Sequence, residues 1–147
     1  MSAQPLARYA ASKRRGDFIF FSGVIAVNPA AQTIVHGYAD IPEAARALIG
    51  QTGEFSVDIK EGPMLAQSWY VLNAIHTMIE AEGGTMNDVF KLVQYFKDLR
   101  DFPLYNRVRK LFFTDPPVST VVEVSAMMPT ADILIEVEAT AYLPLEK

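Results

Sequence analysis

Apolar and polar residues alternate most cleanly in the last third of the chain. In Val118 to Val124, Ser119, Val121 and Glu123 fall on one face of an extended segment, and Val118, Thr120, Val122 and Val124 on the other. Ile133 to Tyr142 repeats the pattern, with Ile133, Ile135, Val137, Ala139 and Ala141 in one row and Leu134, Glu136, Glu138, Thr140 and Tyr142 in the opposite row. The alternation predicts two strands, each with a core row and a chemical row. Paired as neighbours, they would crowd Glu123, Glu136 and Glu138 on one surface. A half-buried antiparallel strand facing water shows the same alternation, so periodicity alone does not separate a site from a solvated face.

Upstream, Phe18 to Val27 reads as a buried strand broken at Ser22-Gly23, where glycine permits a bulge or a close backbone approach. Asn28-Pro29 makes a turn. The stretch 30–62 is mixed: Thr33 to Val35 suits a short strand, Ile41 to Leu48 a helical turn or two, and the whole reads as an extended rim or an inert surface loop. Pro63 to Glu82 predicts a long helix, because proline suits a first turn and Leu65, Trp69, Leu72, Ile75 and Ile79 recur at helical spacing before Gly83-Gly84. Asn87 to Lys97 predicts a strand buried on both faces. Asp98 or Asp101 caps a second helix reaching about Phe113, which Asp115-Pro116-Pro117 ends. Two helices collected on one face of a mixed sheet make an α+β sandwich in a single domain spanning 1–147.

A chain of 147 residues can bury roughly two thirds of the surface its unfolded form would expose, enough for one core. Half of the residues are hydrophobic and 20% charged, a slight apolar excess that suits a subunit interface. There is no cysteine, which excludes disulfides, thiol nucleophiles and thiolate metal sites. No segment approaches the ~18 apolar residues of a membrane helix, and Phe18 to Phe21 is too short for a signal-peptide core. The expectation is a cytoplasmic protein without membrane contact. A formal charge of −4 and only two small basic clusters, Lys13 to Arg15 and Arg107 to Lys110, argue against nucleic acid as the partner. His36 reads as a surface residue and His76 as a structural one, with no second ligand at helical spacing, so no metal is expected.

The wording of the chain resembles the YjgF/RidA family of reactive-intermediate (imine) deaminases. The matching pieces are Gly16-Asp17-Phe18-Ile19-Phe20-Phe21-Ser22-Gly23, Val27-Asn28-Pro29, Val71-Leu72-Asn73-Ala74-Ile75, Glu80-Ala81-Glu82-Gly83-Gly84, Lys97-Asp98-Leu99-Arg100-Asp101-Phe102, Tyr105-Asn106, Val122-Glu123-Val124 and Ile135-Glu136-Val137-Glu138-Ala139. The resemblance implies a chorismate-mutase-like fold, assembled as a homotrimer with a small-molecule ligand in each intersubunit cleft and no cofactor. It also implies site residues: Glu136 as the carboxylate that positions or activates a water, with Tyr9, Ser22, Gly23, Asn106 and Glu138 contacting substrate. An imine or enamine needs a water, a carboxylate to manage its proton and donors for the substrate.

One departure stands out. Typical relatives carry Pro-Ala-Arg-Ser at the start of the penultimate strand, where the arginine forks onto a substrate carboxylate. Here the text is Pro116-Pro117-Val118-Ser119-Thr120; alignment on Val122-Glu123-Val124 puts Ser119 at the arginine position, Thr120 next to it and Val121 at the following cysteine position, while a one-residue slip would put Val118 at the arginine position, and neither Ser119 nor Val118 can fork onto a carboxylate. Arg14, Arg15, Arg107 and Arg109 are the alternative cations, each also readable as a surface residue. The sequence supports a divergent hydrolytic deaminase of a small enamine or imine other than the usual 2-imino acids. The alternative is a non-catalytic trimer that binds a small metabolite, and a ribonuclease activity fits the acidic charge least.

Overall fold

The fold is described from a computed structural model over residues 5–145. Its strands are β1 (Ser12–Arg15), β2 (Phe18–Phe21), β3 (Val24–Ile25), β4 (Val27–Asn28), β5 (Thr33–Ile34), β6 (Val89–Phe96), β7 (Val118–Glu123) and β8 (Ile135–Tyr142). Its helices are α1 (Glu43–Ile49), α2 (Phe55–Ala81) and α3 (Phe102–Phe112). The main sheet runs β1-β2-β8-β6-β7, with β3 continuing the antiparallel edge of β8, and β4 and β5 form a small hairpin beside it. Only β6 and β7 are parallel, and α3 is the crossover such a pair requires. This is the α+β fold with a mixed sheet that the strand and helix order predicts.

Helices α2 and α3 cover one sheet face. Ile135, Val137, Ala139 and Ala141 of β8, Leu92 and Phe96 of β6 and Ile19 of β2 point into that core and are essentially inaccessible, as are Leu65, Leu72, Ile75 and Ile79 of α2. Burying each of the larger of these side chains, the valine, leucines, isoleucines and phenylalanine, contributes about 1.5 to 3 kcal/mol. Trp69, on the same predicted stripe, is only partly buried and faces the groove beside Leu48.

Four expectations change. First, α2 begins at Phe55, two turns before Pro63, and carries Pro63 inside it. Proline forfeits one helical hydrogen bond, but tertiary contacts hold the early turns: Asp58 accepts from Thr52 and Gly53, Glu61 pairs with Arg107 at 3.6 Å, and Gly62 lets the Tyr38 ring pack where a Cβ would stand 3.1 Å away. Second, 30–62 is neither rim nor inert loop. Val35, Tyr38, Ile41, Ala45 and Ile49 are core residues, and α1 is a third helix packed on α2. Third, β7 and β8 are not neighbours, because β6 lies between them. Phe96 opposes both Glu123 and Ile135, so Ser119, Val121 and Glu123 lie on the helix side while Glu136 and Glu138 lie on the open side. Glu123 instead accepts from the backbone N–H of Leu99 at 3.0 Å.

Fourth, strand β6 is buried on one face only, with Phe90 and Lys91 exposed. The open face carries a cluster of aromatic rings: Phe18 lies 5.2 Å from Tyr142, 6.0 Å from Phe90 and 6.4 Å from Phe20, centroid to centroid. All four are 38–49% exposed. No helix is long and apolar enough to cross a membrane among the described residues.

Candidate functional site

The break in the β2–β3 edge creates the first half of the site. Ser22 leaves the strand and donates its hydroxyl to the Ala10 carbonyl at 2.6 Å, while its N–H bonds the Ala11 carbonyl at 2.9 Å. These bonds hold the N-terminal segment, and with it Tyr9, against the sheet. The Ser22 proton is therefore engaged in structure, leaving its oxygen only as an acceptor. Gly23 comes next, and a Cβ there would overlap Oε2 of Glu136. Any larger residue there would push the carboxylate from this position.

Glu136 projects from β8 opposite Ile25 on one side and Tyr95 on the other. It lines a cleft of about 410 Å³ together with Leu6, Tyr9, Ser22, Gly23, Ile25 and the loop residues Met128 and Pro129. That loop is anchored by the fully buried Gln67 of α2, which donates to the carbonyls of Val35 and Asp132 and accepts from the N–H of Leu134. Burial pushes the Glu136 carboxyl above the usual carboxylate range, and the charge of Glu138 pushes it the same way. Glu138 accepts from the Tyr95 hydroxyl at 3.1 Å. A carboxylate so placed, above a glycine and between apolar walls, is equipped to take a proton from a water.

The second half lies on α3 and the edge strand β7. Gln94 is fully buried and uses all four of its bonding positions: its Nε2 donates to Ser119 Oγ at 2.9 Å and to the Thr120 carbonyl at 3.0 Å, and its Oε1 accepts from Tyr105 at 2.5 Å and Arg109 at 2.7 Å. Arg109 Nη1 also reaches Ser119 Oγ at 2.9 Å, and its Nη2 reaches Asn106 Oδ1 at 2.9 Å. The guanidinium lies 5.4 Å from the ring centroids of both Phe102 and Tyr105. Burial drives the Tyr105 hydroxyl far up, so it stays protonated. Of the cations weighed above, Arg109 is the one bonded to Ser119; Arg107 pairs with Glu61, and Arg14 holds the Leu143 carbonyl.

One chain does not unite these halves. Tyr9, Ser22, Gly23 and Glu136 meet at one cleft, whereas Asn106 and Ser119 belong to the Gln94–Arg109 network across the sheet. Val121 opposes Gln94 on the helix side, and Thr120 shares the open face with Glu138, two strands away through Val93. His76 pairs with Glu80 at 3.1 Å on the surface of α2, and His36 is exposed. Among the described residues no group of acidic or histidine side chains could hold a metal.

Fold and site together define a small α+β protein with a glycine-seated glutamate on the open face of its sheet. Residues 1–143 match the family model described as Endoribonuclease L-PSP, and the chain belongs to that family, the YjgF/RidA group. It is 33% identical over 140 residues to a RutC family protein of Pyrococcus horikoshii, covering 95% of this chain and 90% of that one. It is 32% identical over 130 residues to the 2-iminobutanoate/2-iminopropanoate deaminase of Escherichia coli, covering 86% and 80%. A solved structure from Klebsiella pneumoniae, named for an endoribonuclease, shares 63% identity at a TM-score of 0.91, covering 92% of this chain and all of that one. RidA from an Antarctic Psychrobacter shares the fold at a TM-score of 0.73 and 22% identity, covering 97% and 94%.

Proposed function

We propose that this protein is a hydrolytic deaminase of a small enamine or imine, acting in clefts completed between copies of the chain. The observation that carries the reading is the Glu136 carboxylate seated on Gly23 in a cleft with apolar walls, its pKa raised toward the range useful for a base. Glu136 would draw a proton from a water as the oxygen attacks the C=N carbon and pass it to the nitrogen, giving a carbinolamine; it would then move the hydroxyl proton to the same nitrogen as the C–N bond breaks, so that a carbonyl compound and ammonia result. Tyr9 and Glu138 would border the substrate, and Ser22 and Gly23 would shape the floor.

Assembly enters because the two halves lie on opposite sides of one sheet, so a single ligand reaches both only when a neighbouring subunit brings its α3–β7 edge to the Glu136 cleft. The exposed Phe18, Phe20, Phe90 and Tyr142 cluster supports such an interface, since apolar surface of this kind is ordinarily covered. A homotrimer is the assembly we infer, with three equivalent clefts.

The name of the Escherichia coli relative points to 2-imino acids as a starting class. Ser119 presents a hydroxyl from the strand where the family presents a guanidinium, so the carboxylate of a 2-imino acid would be held differently and turned over more slowly. Ammonia release from freshly generated imines, with and without carboxylates, tests the activity beside an arginine-containing relative. Release from at least one such imine is expected. Its absence across the panel, with a metabolite bound in the cleft, would leave a binding protein instead. Light scattering should give a trimer; a monodisperse monomer at micromolar concentration would remove the intersubunit cleft.

A further inference from the structure

We infer that Arg109 is the anion-binding residue of this protein, taking the carboxylate of a small ligand on its unused N–H groups with help from the Ser119 hydroxyl. The inference rests on the proposed cleft for the ligand's identity as substrate, but on its own geometry for the chemistry of binding.

The hydrogen-bond inventory around Arg109 is one-sided. Its guanidinium has five N–H groups, and bonds to Gln94, Ser119 and Asn106 occupy three of them, leaving about two. Ser119 Oγ accepts from both Gln94 and Arg109, so its lone pairs are engaged and its own proton is left to donate. Asn106 uses its Oδ1 as acceptor and keeps its amide hydrogens. Gln94 has nothing left to give. The network therefore uses up its acceptors and presents a surplus of donors around a fixed positive charge.

No carboxylate lies within ion-pair distance of Arg109 among the described residues, whereas Arg100 and Arg107 each have one. Neutral partners and two aromatic rings hold the guanidinium in place without neutralising it. A partly buried cation so arranged is pre-organised for a planar, two-oxygen anion. Ser119 is exposed and Arg109 partly so, leaving the donors within reach of a ligand. Because the cation comes from α3 rather than from β7, it binds a carboxylate without placing it as an arginine at position 119 would. The expected consequence is retained affinity for carboxylates with altered turnover.

The test uses the carbonyl products, which persist in water where imines do not. Pyruvate, levulinate and butanone are titrated into the full-length protein by calorimetry, giving two carboxylates of different reach and an uncharged control. Both carboxylates should bind better than butanone. Arg109→Met should weaken them at least about tenfold, the expected loss for a charge-assisted contact, and leave butanone unchanged. Arg109→Lys keeps the charge without the fork and should fall between, which keeps the test valid if the Met variant does not fold. Carboxylate binding unchanged in both variants, or no preference for carboxylates in the wild type, overturns the assignment. Glu136→Gln separates the two proposals, because it should lose turnover while carboxylate binding remains dependent on Arg109. Arg109-dependent binding without ammonia release from any imine would remove the hydrolase reading and keep the anion site. Glu136-dependent turnover with Arg109-independent binding would do the reverse.

Discussion

Around Glu136 the walls are largely apolar and the carboxylate accepts no hydrogen bond among the described residues, whereas around Ser119 every strong acceptor is engaged and donors are left over. The Glu136 half is held by shape: a missing Cβ at Gly23, a strand break at Ser22 and a loop pinned by Gln67. The Arg109 half is held by hydrogen bonds converging on one buried amide. Shape sets a carboxylate's proton affinity through desolvation, and a saturated network sets a cation's direction through bond geometry. Each half is suited to one task, proton transfer in the first and charge recognition in the second.

The sharpest way to break the comparison is Glu136→Gln, which keeps the side chain's size while removing the charge that accepts a proton. Turnover should fall ~10²- to 10⁴-fold, the usual contribution of general acid-base help, with circular dichroism and oligomeric state unchanged. Full activity in that variant would make the carboxylate structural. Gly23→Ala attacks the same half through its packing. The added methyl must displace Oε2 of Glu136, and a displacement of about an ångström should cost on the order of 10²-fold in kcat with the thermal midpoint little altered. An active Gly23→Ala protein would show that the carboxylate tolerates another position.

The second half should fail through stability before activity. Gln94→Leu leaves the buried Tyr105 hydroxyl without its partner, so unfolding in denaturant should be easier by about 1 to 3 kcal/mol. A stability equal to wild type would mean the network is dispensable. The smallest effect is in the pH dependence of stability. Because the folded state raises the Glu136 pKa, it binds the proton more tightly than the unfolded chain does, and stability falls as pH rises from the ordinary carboxylate value through the raised one. Glu136→Gln should therefore match wild type in acid and be slightly more stable at neutral pH. The acid limb of the pH–rate profile should also lie above that of an ordinary carboxylate, since the base form appears only beyond the raised pKa. A wild-type stability that rises through this window, beyond what other carboxylates contribute, would contradict the assignment.

Much of this was legible in the order of residues. Alternation placed Ile135, Val137 and Ala139 in the core and Glu136 and Glu138 opposite, because the pleat sends successive side chains to opposite faces wherever the strand lies. The helical spacing of Leu65, Leu72, Ile75 and Ile79 survives in α2, and Ser22-Gly23 marks the strand break that seats Glu136. Gln94, the polar residue within an apolar strand, was a signal of a buried network that sequence reading passed over. What periodicity could not supply was the partner of each strand. That β6 separates β7 from β8, sending Ser119 and Glu136 to opposite sides, depends on pairing between segments far apart in the chain. The extra turns of α2 likewise depend on Tyr38 and Arg107, which reach Gly62 and Glu61 only after folding. The choice of Arg109 among four arginines had the same origin: all four carry the same charge in sequence, and only the packing of α3 over β6 brings one of them within 2.9 Å of Ser119. Local pattern determines which face a residue takes within its own element, and tertiary structure alone decides what that face meets.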